Sequence, residues 1–155
     1  MITSKNCADK FGSPLEDQSK WEMRNMVLFA LDPIIHAKNG VIPSKIYVNK
    51  VFADDINNWL IDLANNNLIQ EIVTWDGCFN VRKKRGLSSL SLHAFACAVD
   101  CNASHNPLGV TRVDALKRGL RPFTEKFIEV SRKHMDCGAD WKDRPDGMHF
   151  QIKSL

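Results

Sequence analysis

Four ionisable side chains stand beside apolar runs, and their types could do chemistry together. His93 and Asp100 lie in Ser91-Leu92-His93-Ala94-Phe95-Ala96-Cys97-Ala98-Val99-Asp100, and Asp146 and His149 lie in Asp146-Gly147-Met148-His149-Phe150. Taken singly, each reads as a hydrogen-bonded structural residue next to a core strand. Together they offer two imidazoles and two carboxylates, a ligand set that suits zinc with one group left over. Donors bonded at about 2.0–2.2 Å to one tetrahedral ion lie within roughly 3.5 Å of each other. His93 and Asp100 are seven residues apart. A helix would separate them by about 10.5 Å along its axis, and an extended strand by more than about 20 Å, on opposite faces. A shared ion therefore requires a bend at His93 and a chain that doubles back before Asp100.

The elements that must hold these groups are read from periodicity and punctuation. Residues 1–16 are polar, with Gly12 and Pro14, and read as an irregular arm. Lys20 to Leu31 has helical spacing and stops at Asp32-Pro33. Lys45 to Val48 is a short strand candidate. Phe52, Ile56, Trp59, Leu60 and Leu63 form one helical stripe, closed by Asn65-Asn66-Asn67. Glu71 to Trp75 is β-prone before the Asp76-Gly77 turn. Val81 to Gly86 is a basic loop. Ala94 to Val99 reads as a buried strand and Asn102 to Gly109 as a loop. Pro122 introduces a helix carrying Phe123, Phe127 and Val130. Cys137 to Gly147 is a loop, and Met148 to Ile152 alternates as a last strand. This order predicts an α+β fold in one domain, 1–155, with a small central antiparallel sheet flanked by helices.

Composition narrows the function. Of 155 residues, 44% are apolar and 25% charged, which is ordinary for a globular chain. Lys and Arg total 21 against 18 Asp and Glu, too weak a bias to argue for nucleic acid. The basic run Arg82-Lys83-Lys84-Arg85 is short and has no aromatic platform beside it. The longest apolar runs are six residues, so no membrane-spanning helix is expected. The first residues lack the apolar core of a secretory signal, so synthesis without a leader is expected. The five cysteines (7, 78, 97, 101 and 137) show no C-x-x-C pair and read as reduced, buried thiols. His105 and His134 read as ordinary surface or core histidines.

The motifs have a family likeness. Ser91 to Asp100, then N-x-x-x-N-P-L-G at Asn102 to Gly109, G-A-D-W at Gly138 to Trp141 and P-D-G-M-H-F at Pro145 to Phe150 resemble the zinc D-alanyl-D-alanine carboxypeptidase and L-alanyl-D-glutamate endopeptidase family. The nearest likeness is to peptidoglycan-cleaving enzymes of bacteriophages and their bacterial relatives. The family pattern is S-x-H-x-x-G-x-A-x-D, followed downstream by D-x-x-H. Trp75 to Arg82 also resembles the family segment that ends in a substrate-binding arginine. The resemblance spans about Tyr47 to Ile152. It implies the small fold shared by D,D-peptidases and hedgehog-type domains. It implies one Zn2+ per chain on His93, Asp100 and His149, with Asp146 as catalytic carboxylate. Arg82 would steady a substrate carbonyl or carboxylate, and Ser91 would support the ligand loop beside the substrate. Trp141 stands either as a pocket wall or as core. One position departs from the pattern: the family glycine is Ala96 here, which costs about 1 kcal/mol or more if that residue needs positive φ.

The activity implied is hydrolysis of the peptide stem of bacterial peptidoglycan by a monomer. The expected enzyme is an L-alanyl-D-glutamate endopeptidase serving as a phage endolysin. It would be made in the host cytoplasm and reach the wall through a holin pore, or be carried in the virion. The alternatives are a D-alanyl-D-alanine carboxypeptidase and a non-catalytic zinc-containing wall-binding or virion module. Asp146 speaks against the last, since a purely structural ion site needs no extra carboxylate.

Overall fold

Val27 and Phe29 alternate with Leu28 and Ala30, and this alternation turns the expected single helix over Lys20 to Leu31 into two elements. The structure, a computed structural model describing residues 1–84 and 86–155, has helix α2 at Gln18–Asn25 and strand β1 at Met26–Ala30. β1 pairs antiparallel with β2, Lys45–Asn49, setting Val27 against Val48 and Phe29 against Ile46. Asp32-Pro33 does not merely stop an element. Asp32 accepts the Ile34 amide and Pro33 opens α3, Pro33–Lys38, where its missing N–H costs nothing.

The residues before them also differ from expectation. In place of an irregular arm, Ser4–Phe11 form helix α1. Its start is a reciprocal cap, with Thr3 Oγ1 accepting the Asn6 amide at 3.2 Å and Asn6 Oδ1 accepting the Thr3 amide at 3.0 Å. Cys7 on α1 is fully buried, with its Sγ 3.7 Å from Cys97 Sγ. All five cysteines are buried and free.

The predicted stripe forms helix α4, Ala53–Asn65, and Ile56, Trp59, Leu60 and Leu63 are buried. The segment expected to be β-prone from Glu71 starts later: Ile69–Glu71 is a 3-10 turn and strand β3 is Trp75–Gly77. A second 3-10 turn, Leu92–Phe95, occupies the first part of the expected Ala94 strand, and β4 is Ala98–Cys101. Two short helices follow, α5 at Arg112–Lys117, which the sequence reading missed, and α6 at Glu125–His134. Strand β5, Met135–Cys137, was also not anticipated; β6 is His149–Ile152.

The result, among the described residues, is α+β with two antiparallel sheets, β1-β2 and a four-stranded sheet in the order β3-β4-β6-β5. Its two faces do different work, because neighbouring residues on a strand point opposite ways. Val99, Cys101, Phe150 and Ile152 point into the core, where Phe150 meets Trp59 of α4 at 4.9 Å between centroids and Phe127 of α6 at 5.8 Å. Trp59 donates its indole N–H to Ser131 Oγ at 2.9 Å, locking the two helices. The other face carries Asp100 and His149, which the register places directly opposite each other.

Candidate metal centre

Ser91 begins the ligand loop. Its Oγ accepts the His93 amide at 3.4 Å and starts the 3-10 turn. The turn ends at Ala96, with φ 51 and ψ 40, in the left-handed region. That single residue reverses the chain into β4 and brings Asp100 back to His93. The bend required by spacing is therefore real, and the position does demand positive φ.

Three ligand-type atoms converge. His93 Nε2 lies 3.1 Å from Asp100 Oδ1, His149 Nδ1 lies 3.0 Å from the same oxygen, and the two ring nitrogens are 3.3 Å apart. Each imidazole is oriented by its far nitrogen. His93 Nδ1 faces the Cys78 carbonyl at 3.2 Å, and His149 Nε2 faces Gln151 Oε1 at 3.2 Å. A carbonyl can only accept, so the far nitrogens carry the hydrogens and the near ones present lone pairs. Lone pairs of two rings and a carboxylate at this range require a positive centre, a proton or a cation. Donors at about 2.0–2.1 Å from one tetrahedral ion sit roughly 3.3–3.4 Å apart, close to the observed spacing. The three residues thus fit a divalent metal, and two nitrogens with one oxygen suit several first-row ions. Burial works to raise the Asp100 pKa, but hydrogen bonds from His149 and His93, made when a proton rather than a cation occupies the cluster, outweigh it and hold the carboxyl well below the usual range.

Asp146 stands beside this cluster. Its amide donates to the Gly138 carbonyl at 2.9 Å, and its carbonyl accepts the His149 amide at 3.0 Å. The approach to Gly138 is so close that a Cβ there would collide with the Asp146 carbonyl oxygen. Its Oδ1 is buried and has no hydrogen-bond partner. Burial first, and the Asp100 charge second, raise its pKa against the opposing pull of His149 and His93.

These groups line one cavity of about 290 Å³ together with Arg82, Ser91 and Trp141. Every predicted site residue is therefore brought to one place. Trp141 has its ring centroid 5.3 Å from that of His149, and its indole nitrogen is buried without a partner. Arg82 is half-buried, with Nη1 3.5 Å from the Lys83 carbonyl. Arg85, the last member of the basic run, lies outside the described residues. Lys84, Arg144 and Gln151 also line the cavity and were missed. For Gln151 a signal existed, since a residue two beyond His149 on a strand shares its face. Loop Asn102 to Gly109 closes one side, bringing Leu108 to the cavity; Gly109 donates to the Pro145 carbonyl at 2.7 Å. His105 accepts the Arg121 amide and His134 pairs with Asp62 at 3.0 Å, both away from the site. No helix among the described residues is long and apolar enough to cross a membrane.

Comparison with known proteins adds one finding. No curated protein and no solved structure matches the chain. Residues 84–152, a little under half of the chain, match the model of a family described as D-alanyl-D-alanine carboxypeptidase. The matched segment contains His93, Asp100, Asp146 and His149, so the match supports the family resemblance and, with the metal-type cluster, a metal-dependent peptidase.

Proposed function

We propose that this protein is a zinc peptidase that cleaves the peptide stem of bacterial peptidoglycan. The observation that carries the reading is the pairing in one cavity of a three-donor cluster with a carboxyl whose Oδ1 is buried and has no hydrogen-bond partner. His93, Asp100 and His149 would hold the ion, which when bound supplies a Lewis acid and makes water acidic enough to attack near neutral pH. Asp146 does not belong to the three-donor cluster. Its carboxylate accepts the proton of the attacking water and returns it to the leaving amine nitrogen. Its Oδ1, buried and without a hydrogen-bond partner, is free to take that proton and give it back. Arg82 offers a planar fork to a substrate carbonyl or carboxylate. Ser91 keeps His93 in place through its backbone, and Trp141 walls the cavity.

Within this class we favour an L-alanyl-D-glutamate endopeptidase acting as a phage endolysin, released to the wall through a holin pore or borne by the virion. That choice rests on the likeness of the motifs to phage enzymes. The description of the matching family favours the second reading, a D-alanyl-D-alanine carboxypeptidase. Mass spectrometry of fragments released from purified muropeptides separates the two. New N-terminal D-Glu identifies the endopeptidase and free D-Ala the carboxypeptidase. No release of either by zinc-loaded protein overturns the proposal and leaves a non-catalytic wall-binding role.

A further inference from the structure

Gln151 is 1% exposed, yet its amide nitrogen has no hydrogen-bond partner. The other buried amide side chains set the contrast. Asn39 Nδ2 donates to the Ile69 and Ile72 carbonyls at 2.6 and 2.8 Å, Asn49 Nδ2 to Phe95, Asn102 Nδ2 to Glu71 and Asn106 Nδ2 to Asn102. Each of those amide nitrogens is spent on a backbone carbonyl. Gln151 spends only its oxygen on the protein, accepting from His149 Nε2. The carbonyl end faces the ring because His149 Nδ1 must keep its lone pair for the cluster. This leaves two N–H donors buried on a cavity wall, an arrangement that is costly unless a ligand uses them.

A second unpartnered donor lines the same cavity, the indole N–H of Trp141. Both residues flank His149, one by hydrogen bond and one by ring contact. Opposite in character is the unpartnered acceptor Asp146 Oδ1. Arg82, Lys84 and Arg144 add positive charge around the cavity. The ligand that answers this set bears acceptor oxygens for the two neutral donors.

Building on the peptidase reading, we propose that Gln151 is a substrate-binding residue. Its Nε2 donates to a carbonyl or carboxylate oxygen of the peptide, Trp141 Nε1–H donates to that group or the next one along the peptide, and Gln151 Oε1 positions His149.

The test uses zinc-loaded Asp146→Asn protein, which binds without turnover, and a synthetic stem pentapeptide ending in D-Ala-D-Ala, which holds both candidate bonds, followed by calorimetry. Adding Gln151→Glu keeps an acceptor on His149 but removes the donor. The expected result is one zinc per chain, by metal analysis, with peptide Kd raised at least tenfold. Trp141→Phe keeps the ring, loses the N–H and weakens binding in the same direction. In protein that keeps the wild-type Asp146, the Gln151→Glu loss lies in KM more than in kcat. Free-acid and C-terminally amidated peptides name the oxygen: a loss confined to the acid means a carboxylate, and a loss in both means a carbonyl. Kd within twofold of the parent in Gln151→Glu overturns the inference, as does loss of zinc without a separate loss of peptide affinity. A parent that binds no peptide and a wild type that cleaves none overturn the peptidase reading itself, and this inference with it.

Discussion

Asp146 works against folding at neutral pH. Its folded pKa lies above the unfolded one, so its contribution to stability is complete below about pH 4, where the group is protonated in both states, and is lost as pH rises through the folded value. Asp100 has the opposite sign. Its folded pKa is depressed, so it stabilises above the ordinary carboxylate range and that contribution is lost as pH falls below it. Asp146→Asn in metal-free protein should therefore melt higher than wild type at pH 7, with the gain fading towards pH 4. The same substitution should cut cleavage by about 10²–10⁴-fold while zinc stoichiometry stays at one. A melting temperature equal to or below wild type at pH 7 contradicts the burial argument. Retained activity contradicts the proton-transfer role. A residue that raises stability when removed and abolishes turnover is held for chemistry.

The turn that makes the metal cluster depends on Ala96. A non-glycine residue in the left-handed region costs about 1–2 kcal/mol, but the Ala96 methyl is fully buried, which returns about 0.8 kcal/mol. Glycine would also cost about 0.5–1 kcal/mol in unfolded-chain entropy. These nearly cancel, so Ala96→Gly should change stability by less than about 1 kcal/mol. Ala96→Val combines a β-branched residue at positive φ with overpacking and should cost about 2–4 kcal/mol. Equal denaturant midpoints for the two variants would falsify the strained-turn account. Gly138 plays the matching part for Asp146. A methyl there strikes the Asp146 carbonyl, so Gly138→Ala should leave zinc bound and lower kcat about tenfold or more; unchanged kcat shows that the carboxyl tolerates displacement. Element types were legible where one face repeats, as in α4 and β6. Met26 to Ala30 misled because helical and strand spacings overlap in a short apolar run, and pairing with β2 decides between them. The eight-residue α1 is too short to announce itself, and it is held by its cap and by burial of Cys7.

Across the whole molecule, the site joins segments that begin at Arg82 and end at Gln151, so its assembly is a tertiary event. Ligand types and the need for a bend were legible at His93 and Asp100, because bond lengths forbid any regular element between them. The second set of contacts was not: the Cys78 carbonyl that orients His93 is backbone, and no residue type signals it. Gln151 looked like one more strand residue until its partnerless nitrogen was seen. Convergence of lone pairs also has a cost for the folded state. Without a cation, only a shared proton can stand between the lone pairs of His93, Asp100 and His149, whereas the unfolded chain keeps them apart. An ion that binds only the folded form stabilises it by RT ln(1 + [L]/Kd), about 2.7 kcal/mol at a hundredfold excess over Kd. For a chain of this length that raises Tm by roughly 5–10 °C. Differential scanning of metal-free protein, with and without zinc, should show the rise, and a chelator should reverse it. His149→Ala removes one donor and should abolish the rise without unfolding the protein, since Phe150 and Ile152 still anchor β6 from the opposite face. A zinc-dependent rise that survives in His149→Ala places the ion elsewhere, and no rise in wild type means that the three donors share only a proton.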